Sequence, residues 1–283
     1  MIQRSEEWYA WRRAGIGSSD AAAILGCDPF KTAYQLWEEK TGRRRHDVVT
    51  EAMQRGIDLE GDARTAYETD VNKVVQPSTH THQKFEWMRA SVDGMTIDGG
   101  LLVEIKCPGE TSYDAVRAEV PAHYIAQIQH QLAVTGAVAA DLWVWHPERG
   151  GFIRTFVPDL DYIKHLIAAE QTFWNLVQRD TPPPMSEKDV HTRDDQSWTE
   201  AAAIFIEAET RLTETKNLYD AARQALLSLC NGYGIVEGSG VRVTTFERKG
   251  NVDYSKIPQL KGVDLEPFRK SPIREQRVTV TKK

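Results

Sequence analysis

Three consecutive prolines divide the chain of 283 residues into two parts. Proline fixes its own φ angle and lacks an amide hydrogen, so Pro182-Pro183-Pro184 cannot continue a helix or enter the middle of a sheet. Helical and strand patterns alternate before this break, whereas one long helical pattern and a hairpin pattern follow it. We therefore predict a folded core over 1–180, a Pro-rich linker over 181–196 and a C-terminal helical and hairpin accessory region over 197–283.

The composition excludes several classes of protein. No apolar run approaches the ~20 residues that a membrane-spanning helix needs, and the first residues form no apolar signal segment, so we expect a cytoplasmic protein without a membrane anchor. The three cysteines are far apart in sequence, which argues against a disulfide framework and a zinc knuckle. The net charge of −6 argues against a wholly basic surface for nucleic acid but permits a local basic cleft.

The spacing of apolar residues before the prolines predicts a mixed α/β fold, in which a central mixed β-sheet is flanked by helices. Turn signals, such as Asp98-Gly99-Gly100, separate the strands, and Pro121 and Gly136 bound one of the helices. The predicted helices and strands follow. Residues 5–40 are expected to be helical with a break, including a helix capped near Ser18 or Ser19 and one at 33–40. Further helices lie at 50–69, 121–136 and 160–179, and the strands at 73–76, 83–87, 89–93, 101–106, 142–145 and 152–157.

The strand at 101–106 places an acid and a base inside an apolar run. Residues two apart in a strand share a face, so Glu104 and Lys106 point the same way while Val103 and Ile105 face the core. Asp93 ends the preceding strand, and the short connection can bring it beside Glu104. Two neighbouring carboxylates repel each other unless a cation separates them, and Mg²⁺ is bound by such oxygen ligands. The pattern therefore predicts a metal site with a lysine beside it.

Polar residues on two helices extend this predicted site. Glu60 lies on the helix before the sheet and can supply a third carboxylate. Gln127 and Gln131 are four residues apart on one helix face, and Tyr124 lies one turn before them. We expect this polar face to orient water, Lys106 or a phosphate group.

Five sequence blocks resemble the phage λ exonuclease and YqaJ-type viral recombinase family, within the restriction-endonuclease-like PD-(D/E)xK nucleases. They occur in the order of the family and cover roughly residues 5–180. A single block is weakly specific, but five in order are highly specific. One departure is visible, since Val92 replaces the proline of the motif, which shapes the strand end without binding metal. The blocks are WYAWRRAGIGSSDAAAILG, RGIDLEGDARTAYE, ASVDG, VEIKCP and YIAQIQHQLAVTG.

The resemblance implies a restriction-endonuclease-like core and Mg²⁺-dependent degradation of one strand of linear double-stranded DNA in the 5′-to-3′ direction. It implies that Asp93, Glu104 and the carbonyl of Ile105 bind Mg²⁺, with Mn²⁺ able to substitute and two ions in each site. Lys106 is then the catalytic lysine, and Glu60 and Gln127 complete the site. The 3′ single strand that remains would serve recombination by single-strand annealing.

The resemblance also implies how DNA is held and how the protein assembles. Arg12 and Ser19, together with Ser18, match positions that grip the 5′-phosphate of DNA. The resemblance further implies a homotrimeric ring, a single-strand annealing protein as partner, and the bacterial host cytoplasm if a phage or prophage encodes the chain. Further candidate DNA contacts are Tyr124, His130, Gln131, Arg43, Arg44 and Arg45.

Three alternative functions remain open at this point. A Cas4-like or RecB-like nuclease shares the fold, although such enzymes often carry a four-cysteine iron–sulfur cluster and this chain has three scattered cysteines. A site-specific DNA endonuclease is possible on the fold alone. A non-catalytic DNA-end-binding scaffold belongs to a different class, and the complete set of Asp93, Glu104 and Lys106 argues against it.

The sequence of the C-terminal region is consistent with either an accessory interaction module or an extension that packs on the core and stabilises it. We expect a helix capped near Ser197 to run to about Leu229, followed by a hairpin at 235–236 and 241–247. A 4,3,4,3 spacing of apolar or small residues along the helix is typical of a coiled coil. The tail over 261–283 is basic and suggests contact with DNA or an acidic partner. The helix positions are 201, 205, 208, 212, 215, 219, 222, 226 and 229.

Overall fold

The structure, a computed structural model, describes residues 3–44, 50–247, 257–260 and 263–264. The chain forms two compact units, Met1–Val190 and His191–Lys283. The Pro-rich stretch as far as Val190 thus belongs to the first unit, where Asp189 Oδ1 accepts a hydrogen bond of 2.5 Å from Thr32 Oγ1. Most of the basic tail and Arg45 lie outside the described residues.

A mixed sheet of six strands forms the centre of the first unit. β3 pairs in parallel with β1 and antiparallel with β2 and β4, β4 pairs in parallel with β5, and β5 pairs antiparallel with β6. The observed order is that of a restriction-endonuclease-like mixed α/β fold, as predicted. The strands are β1 Ile16–Gly17, β2 Gln76–Thr81, β3 Met88–Met95, β4 Leu101–Lys106, β5 Ala139–His146 and β6 Gly150–Phe156.

Seven helices surround this sheet in the described part of the first unit. Most of them begin at a residue whose side chain accepts a backbone amide of the first turn, such as Thr50 before α4 and Asp159 before α7. Gly136 ends α6 with a φ of 71°, a left-handed conformation that glycine adopts without strain. The helices are α1 Glu6–Arg13, α2 Ala21–Ile24, α3 Ala33–Lys40, α4 Glu51–Val71, α5 Glu110–Ala118, α6 Ala122–Thr135 and α7 Leu160–Gln178.

Both faces of β4 are covered, which explains its apolar sequence. Leu102 packs with Ile128 of α6 on one face. Val103 packs on the other face against Ala63 and Tyr67 of α4. Since side chains alternate along a strand, Glu104 and Lys106 lie on the α6 face, among apolar residues but opposite the polar positions of that helix.

Three elements differ from the sequence-based expectation. The predicted strand at 83–87 is a turn, because His82 Nδ1 accepts the amides of Lys84 and Phe85. The first strand of the pair lies at Gln76–Thr81 and not at 73–76. The helix α5 was not predicted, since Glu110–Ala118 has polar residues on most of its surface and buries only Tyr113 and Val116.

The second unit contains a helix, α8, over Gln196–Ser228, and a hairpin of β7 over Ile235–Gly238 with β8 over Val241–Thr244. The helix was expected to be capped near Ser197, but the cap is Asp195, whose side chain accepts the amide of Trp198 at 3.1 Å. Among the residues that the structure describes, no helix is both long and apolar enough to span a bilayer.

Candidate active site

The site lies where two strands of the sheet separate. β3 and β4 pair only at Gly94 with Val103 and at Met95 with Leu102. The next pair in this register would join Asp93 and Glu104, but the ladder ends before it. The two acidic residues therefore face each other across the opening between the strands. Asp93 Oδ2 accepts the amide hydrogen of Ile105 at 2.9 Å, in place of the missing ladder bond.

Glu104 is buried and is held by glutamines of α6. Its side chain is 4% exposed, and an unpaired carboxylate at that depth would be strongly unfavourable. Gln127 Nε2 donates to Glu104 Oε1 at 2.7 Å, and Gln131 Nε2 donates to Glu104 Oε2 at 2.6 Å. The four-residue spacing places both glutamines toward the site, but they bind the carboxylate of Glu104, which was not among the expected partners of this face.

Lys106 completes a closed set of contacts with the same residues. Its Nζ lies 2.7 Å from Glu104 Oε1 and 3.1 Å from Gln127 Oε1, and 4.9 Å from the centre of the Tyr124 ring. Burial alone would lower the pKa of Lys106, but Glu104, together with Tyr124 and Asp93, outweighs burial and raises the pKa to about 12. The lysine is therefore a fixed positive charge at the site.

Asp93 is the electrostatically unfavourable member of the site. Removal from water, followed by the negative charges of Glu104 and Glu60, raises the pKa of Asp93 well above its usual range. The amide of Ile105 and the charge of Lys106 oppose this shift without cancelling it. The ionised carboxylate thus lacks sufficient positive charge from the protein, which is the condition that a bound cation would relieve.

Glu60 lies close to Asp93 and Glu104, but both of its carboxylate oxygens already accept hydrogen bonds from arginines. Its Oε1 accepts from Arg64 at 2.5 Å and its Oε2 accepts from Arg4 at 2.7 Å. Arg64 also donates through Nε to the carbonyl of Asp93 at 2.8 Å. The structure therefore brings Glu60 beside the site as a neighbour held by two arginines. Sequence reasoning missed Arg64, although its position four residues after Glu60 on α4 signals the contact.

One edge of β3 is completed by side chains and not by a strand. β2 covers one edge of β3 from Arg89 to Met95, so β1 and β4 share the other edge and leave a gap between them. Carbonyls two residues apart point to the same edge. In this gap His130 Nε2 meets the carbonyl of Arg89 at 2.9 Å, and Gln131 Nε2 meets that of Ser91 at 3.3 Å.

This arrangement corrects two predicted DNA contacts. His130 and Gln131 are fully buried. His130 Nδ1 lies 2.7 Å from Glu170 Oε1 of α7, so the imidazole joins α6, α7 and β3. Burial and these bonds argue against contact of either side chain with DNA and assign both to holding α6 against the strands.

The predicted phosphate-binding residues lie together near the start of the chain. Arg12 donates to Ser19 Oγ at 2.6 Å and lies 3.8 Å from Asp20, whose other oxygen is 2.6 Å from Lys40 Nζ. Burial would raise the pKa of Asp20, but Lys40 and Arg12 lower it well below the usual range. Ser19 is exposed, whereas Ser18 is buried.

A cavity of about 330 Å³ opens beside this group and is lined by Arg12, Arg13, Lys40 and Arg44, together with acidic residues. The helix that follows Ser19 spans only Ala21–Ile24. Its dipole is accordingly weak, so this helix end adds little attraction for a phosphate. The arginines and the lysine provide the positive charge of this region.

The remaining candidate DNA contacts lie apart from the strand opening. Arg43 is exposed, pairs with Asp180 at 2.6 and 2.8 Å and stacks on Trp37 at 4.5 Å. Arg44 is exposed and lies 4.0 Å from Glu38. Both arginines border cavities at the surface, whereas Tyr124 lies at the site itself, beneath Lys106.

Comparison with known proteins identifies the protein family that the residues of this site resemble. The family model described as "YqaJ-like viral recombinase domain" matches residues 7–138. Over this range the chain is similar to the YqaJ-like viral recombinase domain. The matched range contains the strand opening, Lys106 and both glutamines of α6, and it confirms the resemblance to the λ exonuclease and YqaJ-type family.

Two relatives come from a bacterium and from a virus. The YqaJ protein of Bacillus subtilis is 30% identical over 186 residues, which are 60% of this chain and 55% of the relative. Protein D345L of African swine fever virus is 25% identical over 171 residues, which are 50% of this chain and 49% of the relative. The chain thus spans about half the length of these relatives.

A solved structure supports the fold. The crystal structure of an alkaline exonuclease from Laribacter hongkongensis, LHK-Exo, matches with a TM-score of 0.57 and 24% sequence identity. The match covers 62% of this chain and 94% of the exonuclease. At this identity the likeness concerns the fold, which is the restriction-endonuclease-like arrangement of the central sheet.

The residues of the YqaJ-like domain fit a hard divalent cation. Within the described ranges, no group of three or more His, Cys, Asp or Glu side chains is arranged to hold a metal ion. The strand opening instead offers the two carboxylates of Asp93 and Glu104, which are oxygen donors of the kind that Mg²⁺ and Mn²⁺ prefer. Burial, followed by the negative charges of Glu104 and Glu60, raises the pKa of Asp93, and a bound cation would counteract this shift.

Proposed function

We propose that the chain is a Mg²⁺-dependent exonuclease that degrades one strand of linear double-stranded DNA from 5′ to 3′ and leaves a 3′ single strand. The observation that carries the proposal is the opening between β3 and β4, which sets Asp93 and Glu104 opposite each other with Lys106 Nζ 2.7 Å from Glu104. The YqaJ-like domain and the exonuclease-like fold support the same activity.

Each residue of the opening has a distinct role in this proposal. Asp93, Glu104 and the carbonyl of Ile105 would hold Mg²⁺ or Mn²⁺, two ions in each site by the family resemblance. A bound divalent cation supplies positive charge that stabilises the phosphate as it gains negative charge. Lys106 adds a fixed ammonium group beside the same phosphate. Gln127 bridges Glu104 and Lys106 and keeps both in position.

Arg12 and Ser19 would bind the 5′-phosphate of the strand that is degraded. A guanidinium group offers several donors in a fixed plane and stays charged at all working pH values. Arg12 already donates to the exposed Ser19 hydroxyl, so a phosphate at this place would meet both groups. Arg13, Lys40 and Arg44 line the adjoining cavity and would attract the DNA backbone.

The family resemblance supports two further proposals about partners. One is a homotrimeric ring that encloses the DNA, and the other is a single-strand annealing protein that receives the 3′ strand.

We also propose that the second unit is an accessory interaction module. A chain truncated after Val190 should remain folded and cut DNA, because the observed boundary between the units falls at that residue. An unfolded truncated chain would show that the second unit belongs to the core.

The proposal is tested with linear and covalently closed circular duplexes of the same sequence. With Mg²⁺, the protein should release nucleotides from one strand of the linear duplex and leave the closed circle intact, and chelation of the metal should stop the reaction. Asp93→Ala and Glu104→Ala should abolish degradation. The matched control is Glu110→Ala, which removes an exposed carboxylate at the start of α5.

The same assay distinguishes the alternative functions. Cutting of the closed circle at defined positions would indicate a site-specific endonuclease. Binding of duplex ends without any cleavage in Mg²⁺ or Mn²⁺ would indicate a scaffold. Full activity of Asp93→Ala or Glu104→Ala would contradict the assignment of the site.

A further inference from the structure

The helix α8 presents apolar side chains that nothing in the described part of the chain covers. It has 33 residues, and none of them is buried. Leu212 and Tyr219 are 68% and 66% exposed. A helix of this kind is stabilised mainly by packing of its apolar face, so it requires a partner in solution.

The apolar positions form a stripe with coiled-coil spacing, which we call the α8 stripe. In heptad notation its a positions are all large and its internal d positions are all small. The a positions are Trp198, Phe205, Leu212, Tyr219 and Leu226. The d positions are Ala201, Ala208, Thr215 and Ala222, with the large Leu229 at the end of the helix.

This pattern distinguishes between the two possible directions of a partner helix. In a parallel pair of identical helices, each a residue meets its own copy and each d residue meets its own copy. Layers of two large residues, such as Phe205 with Phe205, would alternate with layers of two alanines, such as Ala208 with Ala208. In such a core, layers with too much side-chain volume alternate with layers that leave a void, and both are unfavourable.

In an antiparallel pair the order of the spacings is reversed, so each a residue lies level with a d residue of the second copy. Every internal layer then joins one large and one small residue, which keeps the volume of the layers similar. The pairs follow from residue numbers that sum to 427: Phe205 with Ala222, Leu212 with Thr215, Tyr219 with Ala208 and Leu226 with Ala201. Trp198 with Leu229 closes both ends.

The charges beside the stripe favour the same register. The e positions of antiparallel helices face each other, and here they include Glu209 and Lys216. In the register above, Glu209 lies within about 3 Å along the axis of Lys216 of the second copy, and the pair occurs twice by symmetry. Shifting the second helix by one heptad in one direction places Lys216 against Lys216, and shifting it in the other direction places Glu209 against Glu209. Both shifts therefore pair like charges.

We infer that α8 binds a second copy of α8 in an antiparallel coiled coil, in the register that pairs Leu212 with Thr215. The size pattern gives the antiparallel direction and the pairing of a with d positions, and the charge pattern selects this register among the heptad shifts. The contact is isologous, so it joins chains in twos whatever assembly the first unit forms. It gives the second unit a role in assembly that is separate from DNA cleavage.

A charge-reversal series on the full-length protein tests the pairing. Glu209→Lys should raise the dissociation constant of the twofold contact about tenfold, because two favourable pairs become two repulsive ones. Glu209→Lys combined with Lys216→Glu should restore it. The control is Glu214→Lys, which makes the same charge change on the outer face of the helix and should have no effect.

Sedimentation velocity over micromolar concentrations measures this constant, with circular dichroism and nuclease activity as checks that each variant folds. Loss of the twofold contact should reduce the assembled mass by about a factor of two. An equal mass for all four proteins would overturn the inference. It would mean that the α8 stripe is covered by another segment of the same chain or by a different protein.

Distances between spin labels test the direction of the pair. A ketone-bearing amino acid that carries a nitroxide is placed at Thr213, near the twofold axis, or at Thr199, near the helix end. The antiparallel register predicts a label distance below about 25 Å at Thr213 and of about 45 Å at Thr199, from 1.5 Å per residue. Short distances at both positions would indicate a parallel pair and would overturn the inference.

Discussion

The buried pair of His130 and Glu170 should contribute strongly to the stability of the first unit. Their facing atoms lie 2.7 Å apart, and both side chains are 0% exposed. Glu170 Oε2 has no hydrogen-bond partner among the described residues, so the carboxylate depends on the imidazole. His130→Leu should therefore lower the free energy of unfolding by about 3–5 kcal/mol, which is the usual cost of leaving one member of a buried ion pair without its partner.

The double variant His130→Leu with Glu170→Leu is the matched control. It removes both charges and leaves apolar groups, a change that is often neutral or stabilising, so it should cost clearly less than the single variant. Urea unfolding followed by tryptophan fluorescence measures all three proteins. A double variant as unstable as His130→Leu would refute the reasoning, because the loss would then come from packing and not from an unpaired charge.

The pair also predicts a pH dependence with a defined sign. Burial opposes protonation of His130, but the charge and the hydrogen bond of Glu170 outweigh burial and raise its pKa above the usual value. A raised folded-state pKa means that the contribution is fully present below about 6.5, the unfolded value, and is lost as pH rises through the folded value. The free energy of unfolding of the wild type should fall over that window, and a slope of the same size in the double variant would contradict this origin.

Three further predictions concern the site. Asp93→Asn should abolish cleavage yet raise the melting temperature at pH 8 by about 2–4 °C, because it removes a buried charge and its repulsion from Glu104 and Glu60, which together raise the pKa of Asp93; a lower melting temperature would contradict this. Gln131→Leu should weaken Mn²⁺ binding by about 10–100-fold in a titration, since the amide holds Glu104 Oε2, and unchanged affinity would remove this role. Arg12→Ala should reduce the ratio of initial rates on 5′-phosphate and 5′-hydroxyl duplexes, and a wild-type ratio would show that Arg12 does not bind the phosphate.

The part of the site that lies on one strand was predictable from the sequence. Alternation along Leu101–Lys106 places Glu104 and Lys106 on one face, and the structure has this strand at the same residues. The polar face of α6 was also predictable, since Gln127 and Gln131 both reach Glu104. These features depend on local periodicity, which the sequence contains directly.

The features that the sequence did not reveal depend on what packs above each residue. His130 is polar and adjoins the glutamine face, so its sequence position suggested a place near DNA. The structure buries it between β3 and α7, because α6 is covered on two sides and the gap in β3 needs donors for its carbonyls. The termination of the β3–β4 ladder at Gly94 is likewise a tertiary property, and no local pattern encodes it.

The most direct test of the central claim is the polarity of digestion on a linear duplex. One strand carries a 5′-phosphate and a fluorophore at its 3′ end, and the 5′ end of the other strand is blocked. With Mg²⁺, the wild type should shorten only the strand with the 5′-phosphate and release mononucleotides, whereas Lys106→Ala should leave it intact while still binding Mn²⁺. Shortening from the 3′ end, or near wild-type digestion by Lys106→Ala, would contradict the account.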